Sequence, residues 1–199
     1  MTQTEPAFNL GGGAGSWLFR VLLVAATAVM VYAWFQPWWS ADIAVIQGEE
    51  DLVLHPWGID AVGQVRMGAD PALYEMPFFF KPMVWTYFGL AMLAILFSLG
   101  ANMRISLGRI RLPVAGLLIF LVGLSLLVAV GLSYGIGTLR AEGMDMKFIG
   151  RSEYTDPTSH RKVRMVSELR DGFWFAIYGG GALVFLGLTR FLFVRKWGK

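Results

Sequence analysis

Cysteine is absent from this 199-residue chain. That absence excludes a disulfide framework, a thiolate nucleophile, cysteine-ligated zinc, an iron–sulfur cluster and covalent c-type haem. Histidine is nearly absent: His55 and His160 are the only two, and both lie outside the long apolar runs. The paired intramembrane histidines of a b-type haem are therefore missing. Charge is sparse, at 16% of residues against about 25% in an ordinary soluble domain. Disorder, a fibrous protein, a coiled coil and a basic nucleic-acid-binding domain do not fit this composition. No P-loop, Gly-x-Ser-x-Gly or His-Glu-x-x-His sequence occurs.

Apolar residues make up 56% of the chain, with 15 Phe, 8 Trp and 6 Tyr. A globule this small cannot bury so much apolar surface, so the composition points to an integral membrane protein. A helix needs about 20 predominantly apolar residues to cross ~30 Å of hydrocarbon. Four stretches meet that length, at about 16–36, 82–101, 112–138 and 172–195. Arg20 lies near the start of the first and Arg190 near the end of the fourth, where long cations snorkel. The second is uncharged. The apolar core of the first exceeds that of a signal peptide, and Trp39 would sit at the −3 position of a cut, so an uncleaved span is expected. Residues 1–15 read as a short flexible tail. No acid lies inside any span, which argues against a proton relay or an ion-coupled transporter.

The net charge of +3 conceals a strong asymmetry. The N-terminal tail with Arg20, the link 101–111 and the C-terminal end from Arg190 carry eight bases against Glu5 alone. The other two connections carry nine bases and thirteen acids. Lys and Arg in short loops mark the cytoplasmic side. Both termini are therefore expected in the cytoplasm, in a multi-pass cell-membrane topology, with outer loops at 37–81 and 139–171. The basic residues flank spans, where they meet anionic headgroups, so no nucleic-acid partner is implied.

The outer loops have strand-like patterning. Ala41–Gln47 and Leu52–His55 flank an acidic turn at Glu49, Glu50 and Asp51, and Pro56 to Ile59 reads as a break. Met144–Ile149 and Lys162–Val166 alternate about a polar turn at Asp156–Ser159. One isolated hairpin is marginal in water, so two hairpins are expected to pair. The fold class expected is a mainly α integral membrane protein: one membrane domain over residues 1–199, a four-helix transmembrane bundle under a small antiparallel β-sheet cap formed by the two outer loops. Phe78-Phe79-Phe80-Lys81 suits an interfacial segment at the headgroups.

Four spans, a long first outer loop, a short basic inner link and a shorter second outer loop resemble the claudin-type arrangement. The resemblance covers the whole chain in topology, without a motif match. Trp34, Trp38, Trp39 and Trp57 are present, but the Gly-Leu-Trp and the cysteine pair of that family are not. The barrier and paracellular-channel roles therefore do not carry over.

No catalytic residue, metal ligand set or cofactor emerges from the residues. His55 near Glu49–Asp51 lacks defined ligand spacing. Candidate contact residues are the belt Trp38 and Trp39, the acidic turn Glu49, Glu50 and Asp51, the basic strand Arg161, Lys162 and Arg164, and the small-residue face Gly179, Gly180 and Gly181. Acids in the first outer loop and bases in the second suggest complementary contact. These features describe a non-enzymatic accessory, scaffolding or assembly subunit. Its partners would be the lipid bilayer and a membrane protein or another copy of itself. Two alternatives remain open: a redox-complex subunit binding quinone or lipid near Trp85, Tyr87 and Tyr134, or an oligomeric pore lined by Thr27, Thr86, Ser98, Ser125, Ser133 and Tyr134.

Overall fold

Four apolar runs become four long helices: α1 (Ala14–Phe35), α2 (Phe80–Gly100), α3 (Val114–Glu142) and α4 (Asp171–Val194). They come from a computed structural model that describes residues 14–43, 52–61, 76–100, 104–107, 110–143, 145–155 and 162–194. The tail before residue 14, residues 44–47 of the first strand expectation and the polar turn at 156–159 lie outside the described residues. Each helix is long and apolar enough to cross a membrane. Their ends follow helix-terminal chemistry. Asp171 opens α4 and Arg140 lies in the last turn of α3, each facing the macrodipole end it complements. The Arg20 Nε donates to the Leu99 carbonyl at 3.2 Å, satisfying an orphan acceptor at the end of α2.

The described residues also form seven short strands. Five of them are β1 (Trp39–Ile43), β2 (Leu52–His55), β3 (Gly58–Ala61), β6 (Gly150–Thr155) and β7 (Lys162–Leu169). They make one antiparallel sheet with the order β3-β2-β1-β7-β6. The expected pairing of the 37–81 and 139–171 connections is present: β1 lies against β7 from Trp39↔Leu169 to Ile43↔Met165. The link between α2 and α3, read from sequence as a plain connection, holds a separate hairpin of β4 (Arg104–Leu107) and β5 (Ile110–Pro113).

Two strand expectations are corrected. Of Met144–Ile149, the described part, residues 145–149, is not a strand. The end of α3 is closed there by Gly143 N–H to Leu139 O and Met146 N–H to Ala141 O, and Asp145 sits in the left-handed region at φ 55°. The alternation of Met146 and Phe148 reflects burial within a turn, not a pleat. The strand is the next segment, Gly150–Thr155, which pairs with β7 despite having little apolar alternation of its own. Pro56 to Ile59 is also not simply a break. Pro56 and Trp57 form a two-residue turn, and Gly58, at φ +145°, begins β3. That backbone conformation favours glycine.

The chain divides into two units, and each helix contributes residues to both. The first comprises residues 1–30, 87–127 and 177–199. Its helices approach closely through glycine. A Cβ at Gly123 would stand 2.7 Å from the Gly180 carbonyl oxygen, and one at Gly187 would stand 2.6 Å from the Phe120 nitrogen. Small residues permit such backbone contact. Leu23, Ile119 and Leu183 are fully buried there.

The second unit comprises residues 31–86 and 128–176 and contains the five-stranded sheet. Alternate strand residues face one side, as the pleat requires. Trp39, Ala41, Leu52 and Met165 form that apolar face with Ala141 of α3 and Met146 in the turn after it, and Leu54, Ile59, Phe148 and Leu169 surround them.

The glycine seam yields a test. Gly123→Val is expected to cost about 1–3 kcal/mol through overpacking, read as a lower thermal midpoint in detergent. A methyl group added at Gly131 would meet nothing within 4 Å, so Gly131→Ala should be neutral or stabilising by roughly 0.5–1 kcal/mol.

Candidate functional site

The richest grouping of side chains lies in the second unit, where aromatic rings from α1, the β2–β3 hairpin and α2 meet. The β2–β3 turn carries Trp57 back over its own strand, and the His55 and Trp57 rings stack at 4.7 Å. Trp57 stacks in turn on Trp85 of α2 at 5.4 Å. Trp34, from the end of α1, meets Trp85 edge-on at 6.2 Å, and Phe35 lies 6.1 Å from both Trp57 and Trp85. The cluster is partly open: Trp85 is 38% exposed and Phe35 51%. Offset and edge-on ring pairs of this kind add about 0.5–1.5 kcal/mol each beyond area burial.

His55 is the titratable member. Burial holds its imidazole below the ordinary value of 6.5, against the raising effects of Asp60 and the Gln36 backbone. The Asp60 carboxylate is 4.0 Å from Nε2, too long for a hydrogen bond. Among the described residues, no group of three metal-ligating side chains stands close enough to hold an ion. Glu49, Glu50 and Asp51 lie outside the described residues.

A second set of contacts fixes the start of β1. Trp38 and Trp39, expected on a contact belt, are instead buried at 3% and 8% exposure. The Trp38 Nε1–H donates to the Ala33 carbonyl at 2.9 Å. The Trp39 Nε1–H donates to the Phe148 carbonyl at 2.7 Å, and the two rings stack at 5.3 Å. Phe148 also seats against Gly137, where a side chain would collide with its ring. Both indoles therefore serve their own chain: each is large enough to fill the core beneath the sheet, and each polar N–H finds a carbonyl.

The other candidates separate. Lys162 and Arg164 are exposed on β7, and Arg164 lies 3.9 Å from Glu153 across the β6–β7 ladder. Arg161 lies outside the described residues. Arg170 makes a 2.9 Å ion pair with Glu168, and its Nε donates to the Ser40 hydroxyl at 2.8 Å. The pairs His55–Asp60, Arg164–Glu153 and Arg170–Glu168 each join residues of the same connecting segment. A Cβ added at Gly180 would stand 3.0 Å from Leu127 and one at Gly179 3.1 Å from Met30, whereas one at Gly181 would meet nothing within 4 Å. Two of the three glycines therefore serve internal packing.

The hydroxyls considered for a pore bond locally. Thr27, Thr86, Ser98, Ser125 and Ser133 each donate to a carbonyl three or four residues earlier on their own helix. The Tyr87 hydroxyl bonds Ser125 at 2.8 Å, and Tyr134 meets the Phe148 and Phe173 rings. The ring cluster is not legible in the sequence because its members are scattered over three distant segments. The only local signal was the dense run of Trp and Phe at 34–39 and 78–85. No known protein family matches the chain, and no curated protein matches it in sequence.

Two outcomes follow. Trp39→Phe preserves a ring on Phe148 but leaves its carbonyl unpaired, so a loss of about 1–3 kcal/mol is expected in the thermal midpoint. For His55, the unfolded ring binds a proton near pH 6.5 that the packed ring resists. The stabilisation is complete above that pH and declines as pH falls through it. Tryptophan emission should therefore shift on acidification below about pH 6.5 in the wild type. An unchanged acid response in His55→Phe would remove His55 as its source.

Proposed function

We propose that the chain is a non-enzymatic four-span protein of a cell membrane, with both termini cytoplasmic. In this reading it follows the claudin-type topology and serves as an accessory, scaffolding or assembly subunit. It would bind a membrane-protein partner or another copy through its outer segments and helix faces. The observation that carries the reading is the bare apolar surface of the helices, above all α2. Only 22% of its most apolar stretch is buried, against 33–39% in the other three. Met83, Leu90, Leu93 and Leu96 of α2 are more than half exposed. In water that surface would drive aggregation, whereas lipid chains or a partner helix cover it at little cost.

The absence of cysteine makes the topology directly testable. Arg164→Cys, on an exposed site, should react with an impermeant thiol reagent from outside the cell. Ser106→Cys should react only after permeabilisation, and the reverse pattern would overturn the orientation. Purification in mild detergent should retain a stoichiometric protein partner or a second copy, with no visible absorption band. A bound chromophore or quinone would instead favour a redox-complex subunit.

A further inference from the structure

The five-stranded sheet ends on one side at β6, whose far edge pairs with no strand among the described residues. Open edges invite pairing with another chain, and proteins commonly block them with short strands or like charges. The opposite edge strand, β3, is only four residues long. β6 has six residues, and its exposed charges have opposite sign two positions apart: Arg151 and Glu153, on the same face. That arrangement complements itself. If two β6 strands lie antiparallel with Ser152 opposite Ser152, each Arg151 faces a Glu153 of the other copy. Opposite charges directly across an antiparallel pair stabilise it, and like charges oppose it.

At the centre of the paired edges Ser152 would lie opposite the Ser152 of the second copy, and the charged pairs on either side of it fix the register. Glu153 already lies 3.9 Å from Arg164 on its inner side, so the paired edge would place each carboxylate between two guanidinium groups.

We infer that β6 is a self-complementary docking edge that joins two copies of this chain into a continuous ten-stranded sheet. The two-fold axis of that pairing is perpendicular to the sheet, so both apolar faces remain on one side. The interface is isologous and therefore closes as a dimer instead of growing into a filament. The inference deepens the contact-forming role proposed above and can fail separately from it.

The test uses the full chain in native membranes and then in nanodiscs, where native mass spectrometry reads the dimer fraction. Arg151→Glu or Glu153→Arg should each lower that fraction by roughly fivefold. Glu153 also faces Arg164 of its own chain, so the triple exchange Arg151→Glu/Glu153→Arg/Arg164→Glu, which reverses both pairings, should restore the dimer and separates charge pairing from misfolding. Asp60→Arg on the opposite edge should leave the dimer fraction unchanged. An equal loss in Asp60→Arg, or a triple exchange no better than the single ones, overturns the inference. Capture of a different protein with no second copy also overturns it, while leaving the accessory role standing.

Discussion

The ladder between β1 and β7 is the interaction on which the second unit depends. It runs over five residue pairs and joins strands more than a hundred residues apart. Without it the unit would contain a β1–β2–β3 meander and a separate β6–β7 hairpin, neither with a face deep enough to bury much apolar surface. No disulfide substitutes for it, because the chain has no cysteine. The ladder brings Trp39 and Ala41 beside Met165 and Leu169, and thereby creates the apolar face that Ala141 and Met146 complete. Polar contacts hold its end in place. Arg170 N–H donates to the Trp38 carbonyl at 3.0 Å, Gly172 N–H donates to the Pro37 carbonyl at 3.0 Å, and Trp38 N–H donates to the Leu54 carbonyl at 2.8 Å. The entry into β1 and the exit from β7 are thus tied at the same point.

The first unit is held by a different means. Its helices are apolar on most sides, so amphipathic patterning cannot select which faces meet. Glycine makes the selection instead. Gly123 and Gly180, and Gly187 with Phe120, allow the α3 and α4 backbones to approach where a side chain would collide. The Thr and Ser hydroxyls of the helices bond carbonyls of their own helix, and two polar contacts join neighbours: Tyr87 of α2 with Ser125 of α3, and Arg20 of α1 with a carbonyl at the end of α2.

Much of the outline was legible in the residues. The four helices, the two strand-forming long connections and their union in one antiparallel sheet follow from apolar run length, alternation and the instability of a lone hairpin. Less legible were the elements whose form depends on a partner. Gly150–Thr155 has weak strand character and becomes a strand because β7 offers a ladder, while the better-patterned stretch just before it is taken up in closing α3. Trp38 and Trp39 have the composition of an interfacial belt. Their burial depends on carbonyls at Ala33 and Phe148, one of them in a distant segment. The aromatic cluster of His55, Trp57, Trp85, Trp34 and Phe35 is likewise assembled from separate stretches, and no local spacing announces it.

The number and length of the apolar helices, the asymmetric distribution of charge and the absence of cysteine chemistry are all set by local composition. These are sums over local composition, and composition needs no fold to be read. Which tryptophans are buried, which glycines serve as contacts and which strand edge is unpaired among the described residues follow from the folded arrangement. Those outcomes depend on which distant groups arrive within hydrogen-bonding or van der Waals range. Such energies act over a few ångströms, and proximity along the chain does not report proximity in space.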